Sequence, residues 1–414
     1  MLGRGLGAVL VRNNFAATWI WLCVFTAAIC SLCLEPARAQ VGAPSPMLDS
    51  HTAVEWWFAF KFAASTFPNS CTQRVCRFGG TPQPATQHTS QRFVVASSAH
   101  PAIQDGGLCI GDSTSDPVAA TFDQIYSSSL FYVVWNDEFN NQPIGNKGTG
   151  WGHSKGIVAW NSEGNGVVMQ VTTPNWPGFA ASSPPRPMGN TLGCISKDNN
   201  IQYSQHFFAL KLNKDDVGVV LDALRKSAAP TSKTHPEIVR NGGPQDIQLH
   251  VQALGLQTHE TIVSKAKLSS GVFLIAKPPD LNVPPWQLVS EELDAEPLLA
   301  ATWWSKNKIP STNAATPMRC WDPALKKAGP VTIAKTGTWQ GTTIGLEGGV
   351  NHAKFGVSKG THTYSIFGDM NQEGSISKTN CKVSQNVRGG LFFVVDDAAL
   401  FSGVSALLTG SVEP

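Results

Sequence analysis

The sequence predicts an α+β (mixed α/β) protein built as two comparable lobes, each a β-sheet with flanking helices. Three observations point there. Strand-like apolar runs bounded by Gly, Pro and Asn alternate with helical stretches, a polar breaker-rich segment interrupts them near the middle, and a short His-x-Lys motif followed by Asn occurs once on either side of that segment. The chain of 414 residues has 13 Trp and 20 Phe, enough to fill two cores or one large one. Its 38 Gly and 27 Pro are too few for a low-complexity chain. Neither a heptad array nor a second long apolar run is present, which excludes coiled-coil and polytopic membrane classes.

Residues 1–39 are read as a signal peptide. Arg4 and Arg12 make a basic start, Phe15 to Leu34 is uncharged, and Ala37-Arg38-Ala39 offers small residues at both recognition positions of a cleavage site. The expected product is secreted or periplasmic and begins near Gln40, with no stable membrane association. An uncleaved anchor is the alternative, since the apolar run is long enough to span a bilayer. Without the leader, 28 Lys and Arg face 28 Asp and Glu, and all ten His remain. Acidification therefore adds positive charge and favours polyanions. Six Cys remain as well: Cys71, Cys76, Cys109, Cys194, Cys320 and Cys381. An even count in an exported chain implies up to three disulfides, with Cys71–Cys76 the expected local pair. No paired Cys or His spacing suggests zinc.

The elements follow in order. Strands are expected at Val54 to Phe62, Arg92 to Ala96, Leu130 to Trp135, Gly156 to Trp160, Val167 to Thr172 and Gln205 to Leu212, then a helix from Lys214 to Lys226. Residues 228–246 read as a linker between an N-terminal half (40–227) and a C-terminal half (247–414). Strands resume at Ile247 to Ala253 and Val272 to Ile275. Ser290 to Trp304 reads as helix, Lys354 to Val357 and Thr363 to Phe367 as strands, and Gly390 to Leu408 as a strand passing into a helix.

The repeated motif is His153-Ser154-Lys155 with Asn175, and His352-Ala353-Lys354 with Asn371. In an extended chain, residues i and i+2 share a face, so each copy presents an imidazole beside an ammonium. The turn signal Asn161 to Gly166 makes a hairpin whose paired positions sum to about 326, which brings Asn175 back beside His153 and Lys155. The second copy turns at Ser358 to Thr361 and returns towards Asn371. Two facing trios suit phosphodiester chemistry. Lys and Asn bind the non-bridging oxygens, one neutral imidazole attacks phosphorus, and the other, protonated, supplies the leaving oxygen with a proton. No metal or other cofactor is required.

Ser128 to Trp135 with Asn136-Asp137, Gly152-His153-Ser154-Lys155-Gly156, Thr173-Pro174-Asn175-Trp176-Pro177, Asn190-Thr191-Leu192-Gly193-Cys194, Asn351-His352-Ala353-Lys354-Phe355 and Gly368-Asp369-Met370-Asn371 together resemble the signature segments of the type II (acid) deoxyribonucleases. That family is placed in the phospholipase D-like superfamily, and the resemblance runs from about Val54 to Gly390, loosely over Asp246 to Gly345. It implies a pseudo-twofold phospholipase D-like fold with the active site between two sheet lobes. It also implies metal-independent endonucleolytic cleavage of DNA at acid pH, leaving 3′-phosphate and 5′-hydroxyl ends through a phosphohistidine. On that basis His153 is the nucleophile and His352 the acid, an order the sequence leaves open. Lys155, Lys354, Asn175 and Asn371 hold the phosphate. The superfamily's usual Asp beyond H-x-K is absent, with Trp160 and Lys359 in its place, so Asp369 and Glu163 are the candidate carboxylates. No N-x-[ST] sequon occurs, which points to a bacterial-type exported protein.

Neighbouring ammoniums lower the imidazole pKa values from about 6.5, which places the optimum at about pH 4.5 to 6. Trp151 and Trp176 flank the first trio and are candidates for base stacking, though core packing is their commoner role. Asp137 and Glu138 lack a second acid pair for a two-metal site. Dinucleotide, P-loop, G-x-S-x-G and H-E-x-x-H patterns are absent from the exported part of the chain. The alternatives are a phosphodiesterase of the same fold acting on RNA or phospholipid, and a non-catalytic exported DNA-binding protein. Two motif copies in one chain complete the site without a protein partner.

Overall fold

Two antiparallel-cored sheets repeat one strand order. The computed structural model describes residues 42–68, 92–108, 110–111, 114–139, 144, 147–174, 202–377 and 379–414. The leader, Asn175, Trp176, Cys71, Cys76, Cys109 and Cys194 lie outside them. The strands are β1 (Trp56–Lys61), β2 (Phe93–Ser97), β3 (Gln104–Gly107), β4 (Phe131–Asn136), β5 (Lys155–Trp160), β6 (Gly166–Val171), β7 (Gln205–Leu212), β8 (Val239–Arg240), β9 (Ser264–Lys267), β10 (Phe273–Lys277), β11 (Leu298–Ala301), β12 (Val331–Ile333), β13 (Thr336–Trp339), β14 (Thr342–Gly345), β15 (Phe355–Ser358), β16 (Tyr364–Gly368) and β17 (Gly390–Asp396). The helices are α1 (Pro117–Tyr126), α2 (Lys214–Lys226), α3 (Gln245–Gln252), α4 (Pro285–Glu292) and α5 (Ala398–Leu407).

The first sheet has the order β3-β2-β1-β7-β6-β5-β4-β8 and the second β12-β11-β15-β16-β17-β10-β9, with β13-β14 a separate hairpin. The run β1-β7-β6-β5-β4 in one sheet thus matches β10-β17-β16-β15-β11 in the other, antiparallel throughout. Each run ends in a helix, α2 after β7 and α5 after β17. The sheets meet through aromatic rings: Phe58 of β1 stacks on Phe367 of β16 at 4.5 Å, and Phe208 of β7 lies 4.8 Å from the same ring. One apolar core continues through both halves, with no residue of β5 or β6 exposed. That double-sided burial explains why their sequences are nearly unbroken apolar runs.

Local chemistry sets the ends. Asn213 and Asp216 form a capping box at the start of α2, whose last turn carries Arg225 and Lys226 against the negative end of the helix dipole. The β5–β6 turn is tied by Asn161 Oδ1, which accepts from the amides of Glu163 and Asn165, with Gly164 at φ +93. The hairpin register runs from Lys155↔Val171 to Trp160↔Gly166, the pairing that a turn near residue 163 demands.

Two expectations are corrected. The stretch from Ile247 to Gln252, expected as a strand up to Ala253, is helical, within α3, and Ala253 caps it; Ile247 and Val251 are buried at i, i+4 spacing while Leu249 between them is 58% exposed. Ser290 to Trp304 is not one helix. Helix α4 ends at Glu292, Asp294 and Ala295 take positive φ (58 and 63), and Leu298–Ala301 becomes the interior strand β11. The 228–246 segment contributes β8, which pairs with β4 at the sheet edge. Cys320 and Cys381 form a disulfide.

Candidate active site

Both His-x-Lys motifs lie at the start of a central strand, the first running into β5 at Lys155 and the second ending one residue before β15. Each is docked on the opposite half. Gly152 bridges Gly389 in parallel, and the His153 amide donates to Gly389 O at 2.8 Å. Ser204 bridges Asn351, and the His352 amide donates to Ser204 O at 2.8 Å. These crossings bring the trios together, close enough that Lys354 lowers the pKa of His153 and Lys155 lowers that of His352.

His153 is half-buried, and its Nδ1 lies 2.9 Å from the backbone oxygen of Asp369. A carbonyl only accepts, so Nδ1 carries the proton and Nε2 keeps its lone pair. Burial depresses the His153 pKa far below the usual 6.5, with Lys155, Arg388 and Lys354 adding to the effect against the opposing pull of Asp137. Lys155 is buried and donates to Asp137 Oδ1 at 2.6 Å, with Glu138 at 3.8 Å. Burial alone would lower its pKa, but Asp137 and Glu138 together outweigh it and the ammonium is held. Asp137 Oδ2 accepts from Arg388 Nη2 at 2.7 Å, and Arg388 also donates to the carbonyls of Trp151 and Gly152. These cations overcome the burial of Asp137 and keep it ionised.

The second trio has a different character. His352 is stacked on Tyr203 at 4.3 Å and met edge-on by Trp303 at 5.9 Å. Trp303 occupies the place that Asp137 has in the other half, two residues beyond the end of β11. Lys354 therefore has no ion pair among the described residues; its Nζ donates to His352 O at 2.6 Å, and burial, reinforced by Lys155, brings its pKa down to about 7. Burial, Lys354, Lys155 and Lys61 push His352 well below 6.5. His206 Nδ1 accepts the Lys354 amide, which fixes that buried imidazole as neutral.

Asn371 follows β16, and its Nδ2 donates to Glu373 Oε2 at 3.2 Å; Glu373 also accepts from the Ser305 amide and hydroxyl. Asp369 is buried, its Oδ2 accepting from the Leu391 amide, and burial raises its pKa well above the carboxylate range. It serves His153 through its carbonyl, not its carboxyl. Glu163 sits exposed in the β5–β6 turn, so the expectation that it supplies a carboxylate is corrected: the chain ends the strand there, far along the hairpin from Lys155. Trp151 is partly exposed beside the site, with Lys147 over its ring at 5.2 Å. Asn175 and Trp176 lie outside the described residues. Among the described residues no cluster of three His, Cys, Asp or Glu is placed to hold a metal.

A family model for deoxyribonuclease II matches residues 45–409, almost the whole of this fold. The chain belongs to the deoxyribonuclease II family. No curated protein matches it. Membership of the deoxyribonuclease II family gives the activity class, a nuclease hydrolase with DNA as substrate. Within this candidate site of the deoxyribonuclease II family member, the residues missed from sequence are Arg388, Tyr203, Trp303 and Glu373, together with the role of Asp137. Only Asp137 left a readable signal, because it directly follows the strand that pairs Asn136 with Lys155.

Proposed function

We propose that this deoxyribonuclease II family member is an exported, metal-independent acid endonuclease that works through a covalent histidine. His153 Nε2 attacks phosphorus as the bond to the downstream 5′-oxygen breaks, and His352, as imidazolium, protonates that oxygen. The 3′-nucleotide stays on Nε2. His352, now neutral, then takes a proton from water as the water oxygen attacks phosphorus, which releases a 3′-phosphate and restores the Nε2 lone pair. Lys354 and Asn371 bind the phosphate oxygens, with Asn175 from the first copy; Lys155 adds positive potential from its ion pair.

The observation that carries this reading is the contact between His153 Nδ1 and Asp369 O, which leaves a neutral imidazole with Nε2 free and supports the charge that grows on the ring during attack. His352, held between aromatic rings, has the complementary character of a donor that charges only in acid. Both oxygens of Asp137 are taken by Lys155 and Arg388, so this carboxylate, whose charge acts on His153, is not free to ligate a metal. A polynucleotide substrate is favoured over phospholipid by family membership.

The test is plasmid nicking at pH 5 in EDTA by wild type, His153→Ala and His352→Ala. Wild type nicks and both variants do not, and the ends formed accept a 5′-phosphate from a kinase without prior phosphatase treatment. Chelator sensitivity, or full activity in either variant, overturns the mechanism. Export through residues 1–39 is tested by the mass of the secreted product, which should begin at Gln40.

A further inference from the structure

The two catalytic histidines are docked by the same device, and each copy is anchored on a buried lysine. Lys61, the last residue of β1, and Lys277, the last residue of β10, are both completely buried. They are equivalent in the repeated topology, Lys61 pairing with Gln205 at the start of β7 and Lys277 with Gly390 at the start of β17. Lys61 Nζ donates to the carbonyl of the next residue, Phe62, at 3.0 Å and to Tyr203 O at 2.8 Å. Lys277 Nζ donates to the carbonyl of its next residue, Pro278, at 3.2 Å, to Arg388 O at 2.8 Å and to Asn386 O at 2.9 Å. Tyr203 and Arg388 each lie two residues before the paired strand position.

The residue after each of these carbonyls is the docking residue. Ser204 O accepts the His352 amide, and the Ser204 amide donates to Val350 O. Gly389 O accepts the His153 amide, and the Gly389 amide donates to Trp151 O. The correspondence is residue for residue in both halves. Each strap also carries the side chain that furnishes its histidine's surroundings: Tyr203 stacks on His352, and Arg388 joins Asp137 beside Lys155. A fully buried ammonium is costly unless its hydrogen bonds are satisfied, and here one bond from each lysine ties down the residue just before the docking residue, Tyr203 in one strap and Arg388 in the other.

We propose that Lys61 and Lys277 are paired positioning residues, Lys61 setting His352 and Lys277 setting His153 through the straps 203–204 and 388–389. This rests on the nuclease mechanism above. Neither ammonium is placed to touch the substrate. At the acid pH where the site works Lys277, whose pKa burial brings to about 7, carries its proton and donates to all three carbonyls.

The test uses Lys61→Met and Lys277→Met, which keep the bulk of the chain and remove the donor. Two oligonucleotides of one sequence serve as substrates, one normal and one with the scissile 5′-oxygen replaced by sulfur, a leaving group that needs no proton. Lys277→Met should lower kcat about tenfold or more on both substrates at a KM within about threefold of wild type, because the nucleophile is displaced. Lys61→Met should lower kcat about tenfold or more on the oxygen substrate and far less on the sulfur one, because the acid is displaced. Folded variants with kcat within about twofold of wild type overturn the proposal, as does an equal loss on both substrates in both variants. Should either variant not fold, hydrogen exchange in wild type at pH 5 decides: the His153 and His352 amides exchange as slowly as those of β5, whereas fast exchange overturns the proposal. The mechanism itself fails separately, through wild type or His153→Ala in the nicking assay.

Discussion

Asp137→Asn is the sharpest perturbation of the site's frame. The carboxylate is 1% exposed and holds Lys155 at 2.6 Å and Arg388 at 2.7 Å, one oxygen to each. The amide is nearly isosteric, so the change removes charge without opening a cavity and leaves buried Lys155 and half-buried Arg388 without their shared carboxylate. Breaking a buried pair in this way costs about 3–5 kcal/mol, against about 1 kcal/mol or less for an exposed pair. The sign of the pH dependence is fixed too. Burial raises the pKa of Asp137, but Lys155, His153 and Arg388 outweigh it and depress the folded value. Its stabilisation is therefore complete above the unfolded pKa of about 3.9 and is lost only as pH falls through the lower folded value. Denaturant unfolding of wild type and variant should give the same loss at pH 5 and pH 7. A loss below about 1 kcal/mol, or one that vanishes between pH 7 and 5, would refute the buried-bridge reasoning. Adding Arg388→Met to Asp137→Asn should cost less than the sum of the single changes, because the two share one interaction.

Three further outcomes follow from particular contacts. Nicking should rise as pH falls below about 6.5, because burial and neighbouring ammoniums depress the His352 pKa and the acid is charged only beneath that lowered value; maximal rate at pH 8 would contradict this. Gly389→Ala would set a methyl 2.0 Å from Ser227 O, so the strap must shift: thermal unfolding should report a loss of about 1–3 kcal/mol and nicking a lower kcat, and a wild-type result would count against the strap. Replacing Cys320 and Cys381 by Ser opens a loop of 61-residue separation, for which chain entropy gives a stability loss of up to about 4 kcal/mol, measured by denaturant unfolding with nicking retained at pH 5.

The elements legible in the sequence were those whose information is local. The His153 hairpin was readable because two apolar runs flank the polar, Gly- and Asn-rich turn Asn161 to Gly166 and so fix a register, and the Lys155↔Val171 pairing has that register. Helix α2 has the bounds its sequence predicts, Lys214 to Lys226, with a capping box at one end and basic residues at the other. Helix α3 was not, because Ile247, Leu249 and Val251 alternate in sequence, and only packing decides that Leu249 faces water. The chemistry-bearing contacts were hidden for a different reason. Arg388 reaches Asp137 across 251 residues, and Tyr203 and Trp303 meet at His352 from separate halves, so no spacing rule connects them. The duplicated His-x-Lys was visible as a repeat, whereas the asymmetry between Asp137 and Trp303, which gives the two imidazoles unlike surroundings, emerged only once the strands were paired.

The histidine mechanism stands or falls on a covalent bond to one imidazole. Wild type mixed with a 5′-sulfur oligonucleotide at pH 5, quenched in alkali within one turnover and digested, should yield a nucleotide adduct on the peptide containing His153 and none on the peptide containing His352. An adduct on His352 would reverse the roles argued from the Asp369 carbonyl, and inversion of configuration at phosphorus with no adduct on either peptide would eliminate the histidine intermediate.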